Sequence, residues 1–394
     1  MSRLWIGKEI RQVLEMKYRT FMKTGEKVSL LGFGTMRLPI LDGDSAKIDE
    51  ALAIKMIRSA IDRGINYVDT AYMYHDGYSE VVVGKALKDG YREKVLLADK
   101  MPLWMARTEE DMDRIFQDQL KRLDVDCIDM YLVHNINTQV WKRALKFNVM
   151  VYLEKKKAEG RIKHIGFSFH DEFPLFEEVI NAYPWEFCQI QLNYMDTDFQ
   201  AGIKGLKLAG SLNIPVIIME PLKGGKLTDV LPQSIREFWN QAPVKRTPAE
   251  WALRWVADFP EVLTILSGMT DLEQVDENIR ILSEADPKSL TEAEQKIIKK
   301  VADEYNNLIR YSCTGCKYCM PCPVKIDIPD LIGRYNDWFV FEGNQKIRDD
   351  FYTWVHPKAR PSACEACKAC EEHCPQHLPV ADIMKKAQAV FETE

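Results

Sequence analysis

The sequence has little cysteine over most of its length. Of ten cysteines in 394 residues, only Cys127 and Cys188 precede residue 313, so disulfides cannot form the framework of the main part of the chain. No apolar run approaches the roughly 20 residues that a membrane-spanning helix needs. Positive charge is not in excess either, because the chain has 53 Lys and Arg residues and 59 Asp and Glu residues, for a net charge of -6. We therefore predict neither a nucleic-acid partner nor an acidic membrane surface as a partner.

The N-terminal residues do not have the pattern of an export signal. Charged residues interrupt MSRLWIGKEIRQVLEM every few positions, so it contains no secretory hydrophobic segment. We expect a cytoplasmic protein, and in that compartment clustered cysteines bind metal or carry redox chemistry more often than they form disulfides. A start at Met16 would be sufficient, so residues 1–15 are treated as an extension of uncertain origin.

Eight short apolar runs alternate with amphipathic stretches between residues 16 and 290. The runs, which we predict to be strands, are SLLGFGTMRL, NYVDTA, VLLADKM, CIDMYLVH, HIGFSF, FCQIQLNY, VIIMEP and LTILSGM. Stretches between them, such as EALAIKMIRSAIDRG, have apolar residues near i, i+3, i+4 and i+7, as one face of a helix requires. Eight such units in about 270 residues predict an α/β fold, a (β/α)8 TIM barrel, with a doubly wound sheet as the alternative.

Two runs of cysteines follow a predicted linker helix over residues 291–312, which opens with the capping-box spacing of Thr291 and Glu294. The runs are Cys313, Cys316, Cys319 and Cys322, and then Cys364, Cys367, Cys370 and Cys374. Thiols at i, i+3 and i+6 on a tight loop can reach three corners of one cubane, and a distant cysteine before a proline can complete it, whereas zinc sites more often use two separated pairs. The spacing predicts two 4Fe-4S clusters, with paired zinc sites and disulfides as weaker alternatives.

The second run, CEACKACEEHCPQ, resembles the cysteine motif of two-cluster bacterial ferredoxins, and CTGCKYCMPCP lacks one residue before its last cysteine. The resemblance implies a small α-helical ferredoxin-like domain over residues 313–394. It also implies exchanged ligands, so that Cys374 completes the first cluster and Cys322 the second. The shorter first loop leaves open that Cys322 completes its own cluster. We expect His373 and His377 to lie at the surface or beside ligands rather than to bind iron.

Polar residues at the ends of predicted strands indicate an active site. Asp69 ends NYVD, Tyr74 follows in the next loop, Lys100 ends VLLADK and His134 ends MYLVH. Each alone could be a helix cap, a core residue or a solvated charge, but barrel enzymes place their chemistry at the carboxyl ends of the strands. A phenol is a poor acid at its usual pKa of about 10. We expect an ammonium held by a carboxylate to lower that pKa, so that the phenol can protonate a carbonyl oxygen.

With these residues the chain resembles the aldo/keto reductase family over roughly residues 16–285. GFGTMRLP, DTAYMY, the DK pair, YLVH and IGFSFH stand in the order and spacing of that family. The resemblance implies Tyr74 as general acid, Asp69 and Lys100 as its tuning pair, and His134 as the substrate-orienting residue, with hydride from NADH or NADPH. It further implies cofactor contacts at Ser168 and Gln189 for the carboxamide, and at Pro221, Leu222, Gly224, Ser267, Gly268 and Asn278 for the pyrophosphate and adenosine.

Three departures from the family concern the cofactor. Phe169 replaces the Asn that commonly follows the strand-five serine, and Met219 stands where an aromatic residue often stacks on the nicotinamide. The stretch Ile265 to Asn278 has no Lys or Arg, although NADP-preferring members usually carry a basic residue there. It holds four acidic residues instead: Asp271, Glu273, Asp276 and Glu277. This composition speaks against an NADPH preference and favours NADH or another redox partner.

The two halves of the chain predict different electron chemistry. Nicotinamide transfers two electrons as hydride and each cluster transfers one, so direct exchange would need a flavin or a stabilised substrate radical. No flavin fingerprint is present, although a flavin remains a candidate cofactor. Our first hypothesis is a reductase of a small carbonyl or quinone-like molecule, whose clusters relay single electrons and exchange them with a ferredoxin or another redox protein. The alternative is an electron-transfer module in which the barrel is a scaffold without nicotinamide turnover.

Overall fold

The structure is a computed structural model that describes residues 15–228, 231–313, 315, 318–374 and 376–393. The expected extension, apart from Glu15, and the expected ligand Cys316 lie outside the described residues. The strands are β1 (Tyr18–Thr20), β2 (Lys27–Ser29), β3 (Leu31–Gly34), β4 (Tyr67–Asp69), β5 (Leu96–Met101), β6 (Ile128–Ile136), β7 (Ile162–Phe169), β8 (Phe187–Gln191), β9 (Val216–Met219) and β10 (Val262–Gly268). The helices are α1 (Glu50–Asp62), α2 (Tyr78–Ala86), α3 (Glu109–Leu123), α4 (Thr138–Lys146), α5 (Val149–Ala158), α6 (Phe173–Asn181), α7 (Gly202–Ser211), α8 (Gln233–Asn240), α9 (Pro248–Ala257), α10 (Leu272–Ser283), α11 (Glu292–Asn307), α12 (Ile328–Val340), α13 (Gln345–Trp354), α14 (Ala369–Glu372) and α15 (Val380–Phe391).

The described chain divides into two compact units. The first contains the chain up to Gly224 together with Arg246–Leu290. The second contains Gly225–Lys245 and the chain from Thr291 onward. The segment Gly225–Lys245 therefore belongs to the same compact unit as the cysteine runs, which its position between two predicted strands did not indicate.

The first unit is a closed barrel of the eight strands β3 to β10, in chain order, with β10 paired to β3. Each pairing along the barrel is parallel, and each of the eight predicted strands is confirmed. Inward side chains such as Tyr67, Met130, Leu132 and Phe187 fill the interior and are fully buried. Closure of the sheet rules out the doubly wound alternative, because an open sheet would leave two strand edges.

The hairpin of β1 and β2 closes one end of the barrel and was not predicted. Its strands pair antiparallel, with Tyr18 opposite Ser29. Phe21 in its turn is fully buried, and its ring lies 6.5 Å from that of Phe187, the first residue of β8, and 4.9 Å from that of His164 near the start of β7. Phe21 therefore covers the amino-terminal end of the barrel. Strands of three residues are too short to show a period of two in the sequence.

The second unit is helical. The capping box at Thr291 is confirmed, because its Oγ1 accepts the Glu294 N–H at 3.3 Å while the Glu294 carboxylate accepts the Thr291 N–H at 2.8 Å. Phe351 of α13 stacks on Phe391 of α15 at 4.7 Å between ring centroids. Helix α8 packs on α11. Among the described residues, none of the helices has both the length and the apolar character that crossing a membrane requires.

Gly84 gives a test of the packing between α2 and α3. A Cβ built on Gly84 would lie 2.6 Å from the carbonyl oxygen of Leu123 and 2.8 Å from that of Arg122. We predict that Gly84→Ala lowers the free energy of unfolding by about 1–3 kcal/mol, because the backbone must shift to admit the methyl group. Chemical denaturation measures the change. The control Lys121→Ala, at an exposed position of α3, should change stability by less than about 0.5 kcal/mol, and equal effects of the two substitutions would contradict the prediction.

Candidate active site

A buried ion pair lies at the carboxyl end of the barrel strands. Lys100 in β5 is fully buried, and its Nζ donates to Asp69 Oδ1 at 2.7 Å and to the Thr70 carbonyl at 2.6 Å. Because β4 and β5 are parallel neighbours, their ends bring the two side chains together. Burial raises the pKa of Asp69 although Lys100 opposes this effect. Burial lowers the pKa of Lys100, but Asp69 is the largest of the causes that oppose it and the net shift is upward, so the ammonium stays charged.

Tyr74 lies beside this pair at the start of the short 3-10 helix Tyr74–Gly77. Its hydroxyl is 3.4 Å from Lys100 Nζ, a long hydrogen bond. Lys100 acts to lower the pKa of Tyr74, as the sequence led us to expect. Burial has the larger effect, however, and the net pKa is raised, so the expectation of a lowered pKa is wrong. The phenol is therefore protonated at neutral pH.

His134 faces Tyr74 from β6, the strand that pairs with β5. The two rings meet edge to face with centroids 6.2 Å apart, and the centroid of the Trp104 ring lies 5.1 Å from that of His134. Burial, with contributions from Lys100 and His170, lowers the pKa of His134 well below its usual value, so the imidazole is neutral. His134 Nδ1 and Asp69 Oδ2 are buried and have no hydrogen-bond partner among the residues that the structure describes. Buried polar atoms usually have partners, so these two atoms mark a place for a polar ligand.

The residues expected to hold the carboxamide lie on the following strands. Ser168 in β7 accepts the Asn135 N–H through its Oγ at 2.7 Å. Gln189 in β8 donates to the sulfur of Met219 at 3.6 Å, and its buried Oε1 has no hydrogen-bond partner in the described part of the chain. Such an amide oxygen can accept a hydrogen bond from the N–H group of a carboxamide. Phe169, which stands where the family commonly has Asn, is buried in the layer between strands and helices. Its phenyl ring cannot make the hydrogen bond that an Asn side chain would make to the carboxamide.

The expected phosphate and adenosine contacts lie at the ends of β9 and β10. Pro221, Leu222 and Gly224 follow β9, Ser267 and Gly268 end β10, and Asn278 lies in α10. The Asn278 amide donates to Ser267 Oγ at 3.0 Å and so ties α10 to the end of its preceding strand. Gly224 has a φ of +68°, in the left-handed region that favours glycine.

A buried pair of carboxyl groups lies behind Lys100 and was not predicted. Asp99 precedes Lys100 and accepts its N–H at 2.8 Å, while Glu80 in α2 pairs with Arg122 at 2.9 Å. Both carboxyl groups are fully buried, and each affects the pKa of the other. Burial, together with the charge of Glu80, raises the pKa of Asp99 well above its usual value. The sequence does contain a signal for this pair, because Asp99 is an acidic residue inside the apolar run VLLADK. We had used this run only to predict a strand and its end.

Trp104 and His170 are further residues near His134 that we had not singled out. Trp104 lies in the apolar loop after β5, and His170 directly follows β7. Burial lowers the pKa of His170 to about 4, so this second imidazole is also neutral. Their signal was weak, because one aromatic residue or one histidine in a loop is common in any protein.

In the second unit, five of the expected cluster ligands line one cavity of about 350 Å³. They are Cys319, Cys322, Cys364, Cys367 and Cys370, and apolar side chains that include Ile326, Val380 and Met384 complete the walls. Cys313 and Cys374 do not line this cavity, and His373 does. The described cysteines form no disulfide. In the part of the chain that the structure describes, which omits Cys316, no three His, Cys, Asp or Glu side chains are arranged to hold a metal ion.

This cavity fits an iron-sulfur group better than a disulfide core. Five thiols that form no disulfide line one space, and most of the other side chains around it are apolar, as suits a cluster. Cys322 shares the space with the first three cysteines of the second run.

Comparison with known proteins defines the class of protein. The chain belongs to the aldo/keto reductase family, whose sequence signature matches residues 30–302. Residues 312–378 match a 4Fe-4S dicluster domain. The protein is thus an oxidoreductase with an iron-sulfur domain, and both resemblances noted in the sequence are confirmed.

Individual relatives match the barrel region. The NADH-specific methylglyoxal reductase of Escherichia coli (strain K12) is 28% identical over 321 residues, which is 70% of this chain and 95% of that protein. L-galactose dehydrogenase of Arabidopsis thaliana is 25% identical over 322 residues, 75% of this chain and 97% of that one. The holo form of an aldo-keto reductase from Bacillus halodurans matches with a TM-score of 0.61 at 26% identity, covering 73% of this chain and 96% of that one. An aldo-keto reductase from Klebsiella pneumoniae in complex with NADPH matches with a TM-score of 0.57 at 26% identity, covering 71% and 92%.

The pair of Asp99 and Glu80 predicts a pH dependence of stability. Because the pKa of Asp99 is raised on folding, the folded protein retains a proton that the unfolded chain releases. The stabilisation is complete below the unfolded pKa of about 3.9 and is lost as the pH rises toward the folded pKa. We expect the free energy of unfolding of Asp99→Asn to fall less steeply over this range than that of the wild type.

Chemical denaturation at a series of pH values measures this difference. The control is Asp89→Asn, which removes an exposed carboxylate that pairs with Arg58 and should leave the slope unchanged. An identical slope for wild type and Asp99→Asn would show that Asp99 does not retain the proton.

Proposed function

We propose that this oxidoreductase reduces the carbonyl group of a small molecule with a nicotinamide cofactor, and that Tyr74 is the general acid. The observation that carries the proposal is the contact of Lys100 with both Asp69 and Tyr74, at 2.7 Å and 3.4 Å. Burying an ammonium group is costly unless it is paired. A scaffold would gain nothing from placing such a pair against a phenol at the end of the barrel.

The chain's own residues have distinct roles in this reaction. A bound nicotinamide supplies a hydride to the carbonyl carbon. As negative charge develops on the carbonyl oxygen, Tyr74 donates its proton to that oxygen, and Lys100 stabilises the phenolate that remains. Asp69 keeps Lys100 in place. Neutral His134 donates a hydrogen bond to the same oxygen and orients the carbonyl group.

The raised pKa of Tyr74 is compatible with this role. The phenol is fully protonated before substrate binds, so the acid is present in its active form over the neutral range. It gives up the proton only as the carbonyl oxygen becomes strongly basic during hydride transfer. The charge of Lys100 then has its greatest effect, because it acts on an anion.

Nicotinamide binding is supported by the unpartnered Oε1 of Gln189 beside Ser168. The relatives do not select between the two cofactors, since one is named NADH-specific and one structure holds NADPH.

We further propose that the second unit holds two 4Fe-4S clusters with exchanged ligands. Cys322 lines the same cavity as the first three cysteines of the second run, as does Cys319, and Cys374 does not. The exchange itself follows from the resemblance to two-cluster ferredoxins. One cluster would be held by Cys364, Cys367, Cys370 and Cys322, and the other by Cys313, Cys316, Cys319 and Cys374. When bound, the clusters transfer single electrons, for which a ferredoxin or another redox protein is the expected partner.

A second candidate function is electron transfer with the barrel as a scaffold. The burial of Phe169 away from the mouth favours it, because one expected carboxamide contact is then missing. This alternative predicts a protein that contains iron and sulfide and binds neither NADH nor NADPH.

Tyr74→Phe tests the general acid. We predict that kcat for reduction of a panel of small aldehydes and ketones, including methylglyoxal, falls by about 10²–10⁴-fold, because the lost proton transfer acts in the transition state. The dissociation constant of the cofactor should change little. The control is Tyr78→Phe, which removes an exposed hydroxyl bonded to Glu50 and should retain activity. Parallel losses of cofactor binding and turnover would indicate that Tyr74 is structural.

Exchange of cluster ligands is tested with Cys322→Ala and Cys374→Ala in anaerobically purified protein. We expect Cys322→Ala to disturb the cluster of the second run and to leave that of the first run intact, with the reverse for Cys374→Ala. Iron and sulfide analysis and electron paramagnetic resonance measure this, once Cys313→Ala and Cys367→Ala have identified the two signals. The control Cys127→Ser, in the barrel unit, should retain both clusters.

Two outcomes would contradict the cluster proposal. Loss of the first run's own cluster in Cys322→Ala would show that each run binds its cluster independently. Zinc without iron in the purified protein would exclude iron-sulfur clusters.

A further inference from the structure

An exposed arginine lies across two of the loops expected to contact the cofactor. A Cβ built on Gly224 would lie 2.9 Å from Arg37 Nη2, and a Cβ built on Gly268 would lie 3.1 Å from Arg37 Cβ. The guanidinium group therefore lies against the loop after β9, and the stem of the side chain lies against the end of β10. Both contact positions are glycines, and a side chain at either of them would come within about 3 Å of the arginine.

The backbone that carries Arg37 is held on both sides. The N–H and the hydroxyl of Thr35 each donate to the Asp69 carbonyl at 2.9 Å. The N–H of Leu38 lies 3.2 Å from Nε2 of His75, which accepts it. The guanidinium group, in contrast, makes no hydrogen bond or ion pair with any described residue. Its donors are thus available, while the segment that positions it is attached through Thr35 to the backbone of Asp69.

The neighbouring cation is already paired. Lys223, which precedes Gly224, donates to both carboxylate oxygens of Asp196, at 2.9 Å and 2.7 Å. Asp196 also accepts from the side chains of Gln191 and Asn193. This cluster fixes the loop after β9, and it leaves Arg37 as the cation whose donors remain available there among the described residues.

The acidic residues between Ile265 and Asn278 do not oppose an anion as strongly as their number suggests. Asp271 caps the N-terminus of α10 by accepting the Gln274 N–H. Asp276 forms an ion pair with Arg63, and Glu277 accepts from the Thr247 hydroxyl at 2.8 Å. Three of the four acidic side chains are therefore engaged by other groups.

We infer that Arg37 binds a phosphate group of the nicotinamide dinucleotide, an inference that rests on the proposed function. A guanidinium group with unused donors can bind two phosphate oxygens at once, and glycines beneath it let the phosphate approach the backbone. Arg37 supplies the positive charge that the stretch Ile265 to Asn278 lacks. Two phosphates have this chemistry: the pyrophosphate, which NADH and NADPH share, and the 2′-phosphate of NADPH alone.

The test compares Arg37→Gln with Lys121→Gln, which removes one positive charge from an exposed position of α3. Dissociation constants of NADH and NADPH are measured for the full chain at one fixed salt concentration, from the quenching of tryptophan fluorescence. We expect Arg37→Gln to weaken binding by about tenfold or more, the effect of losing hydrogen bonds to a charged group. Equal weakening of both cofactors identifies the pyrophosphate as the ligand. Weakening of NADPH alone identifies the 2′-phosphate.

Two results would overturn the inference. If the wild type binds a cofactor and Arg37→Gln binds it equally well, Arg37 has no phosphate role and the proposed function is untouched. A change of the same size in Lys121→Gln would show a general effect of charge. If the wild type binds neither cofactor, nicotinamide binding in the proposed function fails, and the inference about Arg37 fails with it.

Discussion

The pairing of Lys100 with Asp69 is the interaction on which the barrel site depends. A fully buried ammonium group would be destabilising by several kcal/mol without a partner, so Asp69 and the Thr70 carbonyl must hold it. Parallel pairing of β4 and β5 brings the two side chains together. The same short segment also positions its neighbours: the Asp69 carbonyl anchors Thr35, two residues before Arg37, and Tyr74 begins the helical turn that follows.

Burial affects each titratable group of the site in the direction of the neutral form. It keeps Tyr74 protonated, His134 neutral and the Asp99 carboxyl protonated well above its usual range. Lys100 remains charged because its partner Asp69 opposes the effect of burial. The site thus presents one cation, one phenol and one neutral imidazole to a ligand. This combination can donate hydrogen bonds to an oxygen atom and stabilise negative charge on it.

The second unit takes part of its chain from within the barrel sequence. Gly225–Lys245 directly follows the loop of Gly224, and its helix α8 packs on α11. Lys226 in this segment pairs with Asp337 of α12 at 2.7 Å. The loop assigned to cofactor phosphate and the segment that packs in the iron-sulfur unit are therefore consecutive in the chain. Substitutions in this segment are expected to affect the second unit rather than the barrel core.

Local patterns in the sequence were sufficient for the eight barrel strands, the capping box at Thr291, the spacing of the cysteines and the grouping of Asp69, Tyr74, Lys100 and His134 at one end of the barrel. Each of these features is written within a few consecutive residues, as a hydrophobic period or as a motif. Tertiary structure alone decided the rest. Phe21 in the barrel end, Glu80 against Asp99, and Arg37 across Gly224 and Gly268 join residues that are far apart in the chain and have no shared pattern. The pKa of Tyr74 was misjudged for the same reason, because desolvation depends on everything that surrounds the phenol, and a sequence names only its neighbours in the chain.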